Sequence, residues 1–140
     1  MQTGFYISTD KSKLEVEMIA AFLSNRAYWA MGRTRESVER SITHSTCFGL
    51  FNSKHQQVGF ARVVTDFTIF AWLMDVFVLE DYRGCGLGKM LINAIFSDPE
   101  LKEIKRWGLG TRDAHDFYRQ FGFKELEKPG NMMERVAGSF

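Results

Sequence analysis

Val76-Phe77-Val78-Leu79-Glu80-Asp81-Tyr82-Arg83-Gly84-Cys85-Gly86-Leu87-Gly88-Lys89 is the stretch on which the rest of the chain turns. It reads as a buried strand, a short polar hinge, and a loop with glycine at alternate positions that opens a helix. Alternate glycines leave backbone N–H groups unshielded by side chains, and Arg83 and Lys89 place positive charge at either end. A helix start already carries unpaired N–H donors and a partial positive charge, so the turn is a candidate anion cradle, with phosphate the expected guest.

Spacing separates the phosphate motifs. A Walker loop needs four residues between its first glycine and its Gly-Lys, then Ser or Thr; here Gly84 stands too close to Gly88-Lys89, and Met90 follows. The dinucleotide fingerprint G-x-G-x-x-G fails because Gly88 comes one position too soon after Gly86. R-x-x-G-x-G fits, through Arg83, Gly86 and Gly88 after a hydrophobic strand. That spacing resembles the acyl-coenzyme A pyrophosphate loop of the GNAT family of N-acetyltransferases.

The chain has 140 residues, 45% hydrophobic and 25% charged, which predicts one globular domain spanning residues 1–140. A formal net charge of +1 argues against a strongly basic surface for nucleic acid or membrane, so neither is an expected partner. Cys47 and Cys85 form no C-x-x-C pattern, so no disulfide framework or zinc site is expected. No apolar run approaches the roughly 18 residues of a spanning helix, and the first residues lack a signal-peptide layout. The expected location is the cytosol.

In chain order, Phe5–Ser8 reads as a strand, with Thr9 or Asp10 capping a helix that carries Leu14, Met18, Ala21 and Phe22 on one face. A connector with the aromatic pair Tyr28-Trp29 follows. Thr34 caps a second helix through Val38 and Ile42. Cys47–Phe51 and Gln57–Thr65 form a hairpin, and Phe70–Leu79 is a strand apolar on both faces, as for a covered central strand. Leu87–Phe96 is a helix that stops before Pro99. Ile104–Gly110 is a strand, Asp113 caps a short helix, and Phe123 and Met132–Val136 begin and supply the last two strands. The order βααβββαβαββ predicts an α/β (α+β) mixed sheet with helices on both faces.

A second signature lies downstream. The family's usual N-x-x-A-x-x-x-Y-x-x-x-G-F is met by Ala114, Tyr118, Gly122 and Phe123, with Thr111 where asparagine is common. With the first motif and the element order, the resemblance covers essentially the whole chain. It implies the GNAT acyl-coenzyme A N-acyltransferase fold, acetyl-coenzyme A as acyl donor with no metal, and a small-molecule or peptide amine as acceptor. It also leaves room for a homodimer. By the resemblance, the backbone of Val76, Phe77 and Val78 pairs with the pantetheine arm. The pyrophosphate sits on N–H groups of Arg83, Gly84, Cys85, Gly86, Leu87, Gly88 and Lys89, with Thr111 and Tyr118 also at the cofactor. Tyr118 is similar to the tyrosine that protonates the departing thiolate. A tyrosine with pKa about 10 stays protonated at neutral pH and can donate to a thiolate whose conjugate acid lies near 8.5. Packing against Phe121 and Phe123 is the alternative role for its ring.

An amine must lose its proton before attacking a thioester, so a carboxylate, a histidine or water must take it. Asp75 is the single charge in the central strand, and alternation puts it with Ala71, Leu73 and Phe77, opposite Trp72, Met74, Val76 and Val78. A buried carboxylate needs a partner or a polar cavity, so Asp75 is either the structural partner of a basic group or the base. His115, three residues before Tyr118, faces the site or the surface. Tyr28, Trp29 and Arg33 from the connector, with Trp72 and Met132 or Met133 in second place, are the acceptor-groove candidates; core packing is the alternative for Tyr28 and Trp29. Cys85 at a helix start is not taken as a nucleophile. The competing function is a non-catalytic coenzyme A-binding regulatory module; a nucleotide switch is disfavoured by the missing hydroxyl for magnesium.

Overall fold

The computed structural model describes residues 4–27 and 30–138. Two compact units are present, Met1–Leu109 and Gly110–Phe140. The first holds one five-stranded sheet in the order β1 (Tyr6–Ser8), β2 (Thr46–Phe51), β3 (Gln57–Thr65), β4 (Phe70–Val78), β5 (Arg106–Gly108). Neighbours from β1 to β4 are antiparallel, and β4–β5 is parallel through a crossover helix α3 (Leu87–Ser97). The sheet is mixed, as the sequence order predicts.

Helices α1 (Val16–Asn25) and α2 (Arg35–Thr43) bury Ile19, Phe22, Leu23, Val38 and Ile42 in one cluster with Cys47, Phe60 and Phe77 of the sheet. Phe22 stacks on Phe77 at 4.0 Å between ring centroids. Each such fully buried ring or branched chain contributes about 1.5–3 kcal/mol. The other face carries Phe48, Ala61, Val63 and Leu73 by strand register. Helix α3, which buries Leu87, Leu91, Ile92 and Ile95, packs on β2 and β4.

Asp10 caps a 3-10 turn at Lys11–Lys13, and α1 begins only at Val16. The start is set by Glu15 and Gln57, which exchange side-chain-to-backbone bonds at 2.8 and 2.7 Å. This rotates the apolar stripe, so Ile19, Ala20, Phe22 and Leu23 are buried and Ala21 is exposed. Thr34 caps α2 as expected, its Oγ1 accepting from Ser37 N at 3.1 Å.

The expected last two strands do not form: among the described residues no strand follows Gly108. The second unit has one short helix, α4 (His115–Arg119), and a 3-10 turn at Pro129–Asn131. Gly122 takes φ +91, and the backbone closes locally through Asn131 N to Lys128 O and Met132 N to Pro129 O. Pro129 cannot donate to a ladder, and the adjacent Met132 and Met133 break the alternation a half-buried strand needs. Met133 is 96% exposed.

Candidate active site

Strand β4 is paired with β5 only at Phe70↔Arg106, Ala71↔Trp107 and Trp72↔Gly108. It then runs on to Val78 with β3 as its remaining strand partner among the described residues. The sheet therefore forks at Trp72. Gly108 is required there, since a Cβ would lie 2.4 Å from the Trp72 ring. Trp72, half-buried, covers the apex of the fork.

Which backbone groups line the open edge follows from the ladder. Leu79 N donates to Val58 O at 2.8 Å on the β3 side. Successive residues of a strand point their polar groups to opposite sides, so Val78 and Val76 face the open side and Phe77 faces β3. Consistent with this, Val78 O is taken by Arg83 Nε at 2.8 Å from outside the β3–β4 ladder. Of the three expected cofactor contacts, Val76 and Val78 thus present outward backbone, and Phe77 packs its ring in the core.

A bulge interrupts β4. Phe60 faces Phe77 and Arg62 faces Met74, so three steps on β4 match two on β3. Asp75 sits in it with φ +55, a left-handed conformation that a non-glycine residue adopts at some cost. The extra residue reverses the alternation: by register Trp72 and Met74 share a face with Phe77, and Ala71 and Leu73 with Val78. The faces expected from simple alternation are corrected accordingly.

The Asp75 carboxylate is buried between two guanidiniums. Its Oδ2 accepts from Arg33 Nη1 at 2.8 Å and from Arg62 Nε at 2.9 Å. Arg62 also donates through Nη1 to Ser45 Oγ at 2.9 Å. Of the two roles open to Asp75, partner to basic groups is the one this geometry displays. Arg62 escaped the sequence reading. Its signal was a lone cation in the apolar run of β3, beside a strand with a lone carboxylate.

The glycine-rich loop continues from β4 through a 3-10 turn at Glu80–Tyr82. Gly84 and Gly86 both take positive φ, +83 and +82. Gly86 is the N-cap residue of α3, with no side-chain cap; the first helical bond is Met90 N to Gly86 O at 3.1 Å. The early N–H groups of Leu87, Gly88 and Lys89 are therefore presented at an uncapped helix start. Arg83 N is already given to Glu80 O, so the donor set begins after it. A Cβ at Gly84 would meet nothing within 4 Å, so the loop is open at that position. Leu87, 1% exposed, pins this otherwise exposed turn to the core. The exposed Cys85 donates through Sγ to Tyr82 O at 3.1 Å. Uncapped N–H donors, glycine φ values and flanking Arg83 and Lys89 suit a pyrophosphate.

In the second unit, Thr111 Oγ1 accepts from Ala114 N at 3.0 Å and sets the start of α4. Tyr118 is half-buried, its ring edge-on to Phe117 at 5.1 Å and to Phe123 at 5.8 Å. Its carbonyl accepts from Phe121 N and Phe123 N around Gly122, which explains the G-F ending of the motif. His115 is exposed in an open depression with Asp113, Asp116, Arg119 and Glu125. Hydrogen bonds from Arg119 hold the Glu125 carboxyl below its usual range. Tyr28 and Trp29 lie outside the described residues.

These features coincide with an established group of proteins. Residues 43–125 match the acetyltransferase (GNAT) domain model. A crystal structure from Xanthomonas campestris, assigned to the GNAT family, is 41% identical, with TM-score 0.92 over 95% of this chain and 93% of that one. A Gibberella zeae protein named as an acetyltransferase is 27% identical over 89% of this chain and 81% of its own length. The ycf52 protein of Porphyra purpurea, named an N-acetyltransferase, is 34% identical over 65% of this chain but spans only 55% of its own. The chain belongs to the GNAT family and is an acyltransferase. Among the described residues, no helix is long and apolar enough to cross a membrane.

Proposed function

We propose that this protein transfers an acetyl group from acetyl-coenzyme A to a primary amine by direct attack. The observation that carries the proposal is the fork in the sheet, where the open edge of β4 at Val76 and Val78 leads into the uncapped start of α3. Bound acetyl-coenzyme A would supply the acetyl group as a thioester. The outward backbone of Val76 and Val78 is suited to hold an extended amide-bearing arm as an added strand. The N–H groups from Cys85 to Lys89 are suited to its pyrophosphate, with Lys89 and Arg83 adding charge.

The acid is assigned to Tyr118 on the motif Ala114-Tyr118-Gly122-Phe123, and its protonation at neutral pH supports the assignment. Asp75 acts in this scheme by fixing the bulge and its arginines, and the amine loses its proton to water. Tyr118→Phe is expected to lower turnover by one to three orders of magnitude, about 1.4–4 kcal/mol of barrier, with cofactor affinity little changed. Thiol release against an amine panel and calorimetry with coenzyme A measure the two quantities. Wild-type turnover in the variant removes Tyr118 as the acid. Cofactor binding without thiol release for any amine would favour a regulatory module.

A further inference from the structure

The buried cluster at the β4 bulge is unequal in charge. Arg33 and Arg62 both reach the one carboxylate of Asp75, and among the described residues no other acidic side chain forms an ion pair with either arginine. Side-chain exposures of 13% for Arg33, 8% for Arg62 and 1% for Asp75 put an excess positive charge where water solvates it poorly. Such a charge is costly unless a further anion completes it.

The cluster is also rigidly built. Arg62 is held by Ser45 Oγ at 2.9 Å and touches Met74 Sδ at 3.4 Å, so its orientation is fixed from β4 and from the link between α2 and β2. Arg33 closes a turn in which Gly32 takes φ +81, Arg33 N donates to Ala30 O at 3.0 Å, and Arg33 O accepts from Ser24 Oγ. The turn is thereby tied to the end of α1. Arg33 is the most exposed member, and it belongs to the connector between α1 and α2. Asp75, its partner, immediately precedes Val76, one strand step of about 3.3 Å from the open edge of the fork.

We infer that Arg33, backed by Asp75 and Arg62, is an anion-recognition point for the acceptor, so that the preferred substrate is an amine bearing a carboxylate or phosphate. This rests on the acetyl-transfer proposal above and names the substrate class of that site. A guanidinium gives planar, paired donors to either anion, and one Arg33 nitrogen already engaged by Asp75 presets its plane. Neutral amines lack the group that would balance the cluster.

The test uses amine pairs that differ in charge: ω-amino acids from 3-aminopropanoate to 6-aminohexanoate against their near-isosteric amides, and phosphoethanolamine against ethanolamine. Thiol release gives kcat/KM for each member, and the melting temperature with coenzyme A present gives binding independently of turnover. The expected result is a preference of about tenfold or more for the anionic member of at least one pair, from one charge-assisted contact. Arg33→Gln is expected to abolish that preference and Arg33→Lys to keep part of it. The thermal shift should follow the same order, and in the wild-type protein it needs no variant to fold. Equal rates and equal thermal shifts within every pair overturn the inference while leaving amine acetylation intact. A preference that survives Arg33→Gln also overturns it. If no amine releases thiol but the anionic members still raise the melting temperature selectively, the anion site stands and the transfer proposal fails.

Discussion

At Ala71 and Trp72, β4 is laddered on both sides, to β3 and to β5; from Leu73 to Val78, among the described residues, it is laddered to β3 alone. The closed end is held by close approach, with the Trp72 ring lying where a Gly108 side chain would be. The open end is held from one face instead, by a bulge whose Asp75 is clamped between Arg33 and Arg62. The contrast shows how one strand can be rigid and still offer backbone to a ligand. The anchoring is moved from the missing neighbour to side chains on the helical face. An unpaired strand without such anchoring would be an edge, prone to slip or to pair with another chain.

The largest effect is expected where the open end is anchored. Asp75→Asn leaves two buried guanidiniums sharing a neutral amide and should lower unfolding free energy by about 3–5 kcal/mol. Urea unfolding measures it. Full stability combined with lost turnover would instead make Asp75 a base. At the closed end, Gly108→Ala drives a methyl into the Trp72 ring, and overpacking of this kind costs about 1–3 kcal/mol. Pairing it with Trp72→Leu should recover part of that loss, and strict additivity would show that the two residues do not touch.

The smallest effect separates the two thiols. Burial pushes the Cys47 thiol up to about 11 from 9.0, whereas Cys85 is exposed on the loop. At pH 8 an alkylating agent should label Cys85 and spare Cys47 in the folded chain, and saturating coenzyme A should slow the labelling. Unchanged labelling with coenzyme A would place the cofactor elsewhere. Because the folded value for Cys47 lies above the unfolded one, its contribution to stability is complete below about pH 9 and is lost as pH rises towards 11.

The strands, the loop and α3 were legible because alternation, the run apolar on both faces and the glycine spacing are local signals. Thr34 as a cap was legible for the same reason. The bulge was not: an aspartate in left-handed conformation leaves the period-two pattern of Ala71, Leu73, Asp75 and Phe77 intact in sequence while reversing it in space. Arg62 was missed because a buried cation is explained only by its partner, and that pairing depends on strand register. The two final strands were over-read, since Phe123 and Met132–Val136 have strand-like composition while Gly122 and Pro129 favour local turns. Tyr118 rests on its motif, with α4 and its Gly122 ending giving the local reason for the spacing.

The central claim is that the open edge of β4 and the start of α3 receive acetyl-coenzyme A. A crystal structure of the protein with coenzyme A tests it most directly. The pyrophosphate should lie on the N–H groups between Cys85 and Lys89, with the pantetheine arm hydrogen-bonded to the backbone of Val76 and Val78. Coenzyme A bound away from both segments would contradict it.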